Sequence, residues 1–85
     1  MSNAISRHLV KAIADMAIFL EFTKEELLNA DTSIEAMEQL AMELQLMENE
    51  DRCNLALQLK DLSAEYGDAR RAQFVENLPE SLGLE

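Results

Sequence analysis

Apolar residues recur along this chain at helical spacing in three successive stretches. Ile5, Leu9, Ile13, Met16 and Leu20 advance by steps of four, four, three and four. Val10, Ala12, Ala17 and Phe19 widen that stripe to about half the circumference of a helix. The pattern predicts a first helix over about 4–22, with Arg7, Lys11 and Asp15 on the opposite, solvated side at i, i+4 spacing. A face this broad predicts contact with two or more neighbours. Ile34, Met37, Leu40, Ala41, Leu44 and Met47 form the core stripe of a second helix over about 33–47. Leu55, Leu59, Leu62 and Tyr66 form a narrower one, which predicts a third helix over about 50–66.

Capping signals divide these stretches. Thr23 with Glu26, and Thr32 with Glu35, have the spacing of a capping box. Between them, 24–29 reads as a short helical turn with Leu27 and Leu28 packed inward. Asn49 or Glu50 opens the third helix, and Gly67 is placed to end it. Asp68 reads as the N-cap of a short fourth helix reaching about Asn77, anchored by Phe74 and Val75. Pro79 suits the first position of one last turn, and Leu78, Leu82 and Leu84 are expected to fold back over an end of the bundle. Gly67, Pro79 and Gly83 are the only glycines and prolines, all in the C-terminal quarter. So few breakers, with few β-branched residues, predict an all-α fold. The expected architecture is one helical domain, 1–85. It has three main antiparallel helices and one or two short C-terminal ones, since short connections favour antiparallel neighbours.

Some apolar positions do not fit a lone bundle. Met42 and Leu46 lie about 160–200° from the centre of the second helix's stripe, among Glu35, Gln39 and Glu43. Cys53, Leu57 and Ala64 lie opposite the stripe of the third helix. An adjacent apolar pair on an outer face predicts an interface. Met42, Leu46, Cys53 and Leu57 are therefore the candidate contacts with a second copy or a partner helix. The methionine is suited to irregular surfaces.

Charge narrows the choice of partner. The 85-residue chain carries 17 acidic and 7 basic side chains, a net charge of −10. From Glu25 to Asp51 there are nine carboxylates and no lysine or arginine. Phosphate backbones and anionic membranes repel such a surface, so neither nucleic acid nor membrane is an expected partner. A basic protein is the electrostatic complement, and Glu35, Glu38, Glu43, Glu48, Glu50 and Asp51 are the acidic face it would meet. In size and charge the chain is similar to bacterial immunity proteins, which implies an inhibitor of a basic toxin or enzyme. A domain this small has a thin core, which favours dimerisation. One cysteine excludes an intrachain disulfide. With no basic leader and no run of about 18 apolar residues, the cytoplasm is the expected location.

Reactive chemistry finds little support. His8 and Cys53 are the only soft metal ligands, on separate helices, where a metal site needs a cluster. Cys53 has Glu50, Asp51 and Arg52 as neighbours and lacks the base partner and electropositive setting a nucleophile needs, and is expected to act as a small buried or interfacial hydrophobe. There is no glycine-rich phosphate loop. No catalytic, cofactor-binding or metal residues are expected, and the chain is not expected to be an enzyme. Arg70 and Arg71 are expected to pair with acids of a neighbouring helix. Asp31-Thr32-Ser33-Ile34, at the start of an acidic helix, resembles the Asp-Ser-Leu prosthetic-group site of acyl carrier proteins. It differs in the extra Thr32 and in having no preceding glycine; the resemblance implies Ser33 as an attachment residue. The balance of these observations predicts a small acidic, non-enzymatic interaction module that self-associates, with the inhibitor of a basic protein as the alternative.

Overall fold

The computed structural model describes residues 5–23 and 26–85 and is all-α. Four helices follow in order: α1 (Arg7–Phe22), α2 (Ala30–Gln45), α3 (Asn49–Leu62) and α4 (Ala69–Ser81), with a 3₁₀ turn, Ser63–Glu65, extending α3. No strand occurs among the described residues. The predicted start of the first helix at Asn3 or Ala4 lies outside the described residues; α1 opens after Ser6, whose carbonyl accepts from the Leu9 and Val10 amides.

The core is the work of three helices. Val10, Ala14 and Ala17 of α1, Leu55, Leu59 and Leu62 of α3, Val75 and Leu78 of α4, and Leu82 at its C-cap are fully buried. α3 packs most extensively on α4, and α1 lies across both. α2 rests on α1 and buries no residue completely. Met37, Leu40, Ala41, Leu44 and Met47, its predicted core stripe, touch the core only as half-buried neighbours, and Ile34 is exposed.

Polar side chains fix how the helices start and how α1 is held. Asn29 accepts from the amides of Asp31 (2.8 Å) and Thr32 (3.3 Å), so α2 begins three residues before the predicted Ser33. Asparagine outcompetes threonine as a cap because its carbonyl oxygen reaches two orphan amides of the first turn. Thr23 caps the end of α1 instead of starting a turn, its amide and hydroxyl both donating to the Phe19 carbonyl. Asp68 caps α4, accepting from the Arg70 amide at 2.8 Å. Asn54 accepts from the Ile5 amide (2.9 Å), and Gln58 donates to the Ile5 carbonyl (2.6 Å), pinning the chain just ahead of α1 to α3. Arg7 reaches Asp61 and Glu65, both at 3.0 Å, and the Gln58 carbonyl at 3.2 Å.

Two helix ends differ from expectation. α3 closes before Gly67, by tightening into 3₁₀ geometry while the Ser63 hydroxyl donates to the Lys60 carbonyl at 2.6 Å; such local hydroxyl bonds compete with helix continuation. α4 runs unbroken through Pro79 to Ser81. Proline so near a C-terminus removes one hydrogen bond, and its buried ring adds packing in return. The helix then ends in a Schellman turn. Gly83 has φ 71°, its amide donates to the Glu80 carbonyl (3.1 Å), and the Leu84 amide donates to the Pro79 carbonyl (2.8 Å). That turn folds Leu82 and Leu84 inward over the end of the bundle, as the sequence predicts. The Gln45 side chain donates to the Leu82 carbonyl at 2.9 Å, tying the end of α2 to it.

Candidate interaction surfaces

α1 carries the main surprise. Leu9 and Met16, expected at the centre of its core stripe, are 59% and 56% exposed, and Phe19 is 52% exposed. The helix is turned about 100° from the predicted orientation, so Val10, Ala14 and Ala17 face inward. The physical reason is size. Two alanines on the buried line allow close approach of α3 and α4, because interhelix distance is set by the side chains at the contact. The bulky residues of the broad apolar face are left outside. With the exposed Ala12 they form a line at steps of three, four and three, the spacing of a helix-pairing seam. The seam itself carries no charge. Lys11 and Asp15 stand off it, paired at 2.8 Å.

The residues singled out from sequence sit on other faces. Met42, Leu46 and Leu57 are exposed, Leu46 most of all at 80%. Cys53 is exposed rather than buried. Met42 and Leu46 belong to α2 and its end, Cys53 and Leu57 to α3, and these two helices pack little on each other. Glu35, Glu38, Glu43, Glu48 and Glu50 are exposed and Asp51 is half-buried. Among the described residues, none of these six carboxylates is in an ion pair, whereas Arg7, Lys11, Lys60 and Arg71 meet Asp15 of α1, Asp61 of α3, Glu65 of the 3₁₀ turn, the α4 cap Asp68 or the C-terminal Glu85. Negative charge is thus concentrated on α2 and the start of α3. Glu50 and Asp51 also lie in the first turn of α3, where acids complement the helix dipole.

A cleft of about 470 Å³ opens between α2 and α4, closed at one end by the last turn of α1. Leu20, Ile34, Met37, Ala41 and Phe74 give it an apolar lining, and Glu21 and Glu38 stand among its polar residues. A second hollow along α4 also has Glu21, Phe74 and Asn77 in its lining, so the two adjoin. Phe22 meets Phe74 edge to face, with centroids 5.5 Å apart. Among the described residues, Arg70 and Arg71 pair with no acid of a neighbouring helix. Both lie over the Phe22 ring, at 5.3 and 5.5 Å, and Arg71 bonds Asp68 of its own helix cap at 2.6 Å. Ser33 is half-buried beside this cleft, one turn inside α2 rather than at its start.

One polar cluster links α1 to the end of α3. The Tyr66 hydroxyl donates to Asp15 at 2.7 Å, Lys11 donates to the same carboxylate, and its ammonium lies 5.1 Å from the Tyr66 ring centre. The Lys11 and Tyr66 hydrogen bonds hold the Asp15 carboxyl below the usual carboxylate range. Burial, then the Asp15 hydrogen bond, pushes the Tyr66 phenol up. The i, i+4 spacing of Lys11 and Asp15 was legible in the sequence, but Tyr66, 51 positions from Asp15, was not, because no local spacing links it to them. Among the described residues no three histidine, cysteine or carboxylate side chains gather as a metal site, and no helix is long and apolar enough to cross a membrane. No family model matches the chain, and no curated protein or solved structure shows significant similarity to it.

Proposed function

We propose that the protein is a non-enzymatic interaction module that self-associates through its first helix. The supporting observation is the uncharged line of Leu9, Ala12, Met16 and Phe19, exposed on α1 at helix-pairing spacing. Two copies each carry a net charge of −10. Pairing through Met42 and Leu46 would set Glu35 and Glu43 of one copy close to those of the other. Pairing through the α1 seam brings together side chains that carry no charge. Large apolar side chains grouped on one helix face, in a domain with a thin core, are the usual mark of an oligomer contact. The test is sedimentation equilibrium. A concentration-dependent mass rising to twice the 9.6 kDa of the chain is expected, and Leu9→Glu with Met16→Glu should return it to the monomer with helicity unchanged. A wild-type protein that stays monomeric at all concentrations would defeat the proposal.

A second reading is an inhibitor of a basic toxin or enzyme, favoured by the carboxylates Glu35, Glu38, Glu43, Glu48, Glu50 and Asp51, none of them in an ion pair among the described residues. Exposed opposite charges speed encounter and are screened by salt. Binding of such a partner should therefore weaken steeply with ionic strength, while the α1 contact should barely respond.

A further inference from the structure

We propose that the trough between α2 and α4 is a docking site for a cationic amphipathic helix. Its apolar side chains enter between Ile34, Met37, Ala41 and Phe74, and its lysines or arginines meet Glu38 and Glu21. This goes beyond self-association through α1 and does not depend on it. It narrows the basic-partner reading to one surface and one ligand class.

Several observations converge on this occupant. The cleft, at about 470 Å³, is of the size that takes apolar groups from a ligand. Its walls come from helices that hold each other poorly. α2 buries no residue completely and packs appreciably only on α1, so its inward residues remain half-covered. A partner filling the trough covers Met37 and Ala41, and methionine adapts readily to a varied apolar surface. The adjoining second hollow extends the concave surface along α4, whose 13 residues span roughly 20 Å at helical rise. A helix laid in a groove, anchored at i, i+3 or i+4, and i+7, has that shape.

Charge selects the sign of the partner. The α2 wall contributes Glu38 and no base, and Glu21 projects from the last turn of α1. Carbonyl groups at that C-terminal end carry the negative pole of the helix dipole, which favours a cation nearby. Arg70 stands only in the second hollow, stacked on Phe22. A second copy would bring another net −10 to the same rim, so a basic helix fits better than self-insertion.

Fluorescence anisotropy with a labelled synthetic helix of leucine and lysine, about four turns long, tests the proposal. The controls are a scrambled peptide of the same composition, with no apolar face, and a leucine–glutamate version. The amphipathic cationic peptide should bind the wild-type protein, more weakly as salt is raised. Ile34→Arg, at an exposed position that leaves the core intact, should weaken it at least about tenfold, and Ala41→Phe, which fills the cleft, should do the same. Gln39→Ala, an exposed α2 position outside the cleft lining, should leave binding unchanged. Equal binding of the scrambled peptide would reduce the effect to net charge and overturn the site. Unaltered binding to both cleft variants, tight binding of the leucine–glutamate peptide, or no binding to the wild type would overturn it as well. None of these outcomes depends on whether the α1 seam forms a dimer.

Discussion

α2 and α3 are neighbours in the chain and similar in length, 16 and 14 residues, yet they live in different physical settings. α2 is the more amphipathic of the two and buries nothing completely; α3 is the less amphipathic and buries Leu55, Leu59 and Leu62 to the last atom. Amphipathicity tells a helix which face to turn inward. It does not say how many neighbours will cover that face. α3 lies against both α1 and α4, whereas α2 leans mainly on α1 and touches the end of α4 through one side-chain bond from Gln45. Three helices therefore make the stable unit, and α2, which carries acids and no base, is held by partial contacts. A binding element is usually drawn from the less stable part of a structure.

Truncating each helix is the strongest way to test that division. Leu59→Ala removes a fully buried side chain and should cost about 2–5 kcal/mol, a large part of the roughly 4–13 kcal/mol available to a domain of this size. Leu44→Ala on the half-covered face of α2 should cost about 1 kcal/mol or less. Urea denaturation of both variants measures the contrast. Hydrogen exchange sharpens it: α2 amides should exchange through a local opening while α3 amides wait for global unfolding. Equal costs, or equal protection, would erase the distinction.

The link between α2 and α4 offers a second, smaller test. Gly83 has φ 71°, and a Cβ there would come within 2.5 Å of the Gln45 amide nitrogen. The far end of a glutamine can swing away, so the main cost of Gly83→Ala is the left-handed backbone, about 1–3 kcal/mol. Releasing Gln45 from the Leu82 carbonyl should also raise exchange at the end of α2 above that at its start, where Asn29 still caps. Gln45→Ala should reproduce the exchange effect without the backbone cost. A Gly83→Ala protein as stable as wild type would mean the turn relaxes.

The smallest effect belongs to the Lys11–Asp15–Tyr66 cluster, which works on the α3 side of the comparison. Asp15 is depressed, so its contribution is present above the ordinary carboxylate pKa, about 4, and is lost as pH falls through its lowered value. Tyr66 is raised, so its contribution is present below the ordinary phenol pKa, about 10, and is lost as pH rises through the raised value. These groups are substantially exposed, and solvent screening keeps the total under about 1 kcal/mol. Tyr66→Phe should therefore unfold slightly more easily than wild type near neutrality. The difference should fade in strong acid and at high pH. A difference that is constant across pH would assign it to packing alone.

Much of the fold was legible in the residue pattern. Helical periodicity at Leu55, Leu59 and Leu62 located α3 and its buried face, since three leucines on one line have one way to leave water. Asp68 marked the start of α4, and the leucines after Pro79 marked the closing end, because caps and terminal apolar residues act through neighbours a few positions away. The candidate surfaces were less legible. Met42, Leu46 and Leu57 stood out by angle, yet the seam of Leu9, Met16 and Phe19 was hidden inside an apolar face assigned to the core.

What the amino-acid order settled alone is whatever acts over one or two turns: helix, cap, charge segregation and the apolar side of each segment. What only the tertiary structure decided is which part of a wide apolar face is used. On α1, close packing selected the small residues Val10, Ala14 and Ala17, and on α2 the lack of a second neighbour left every inward side chain partly wet. Both outcomes follow from the distances between whole helices, which no local spacing encodes.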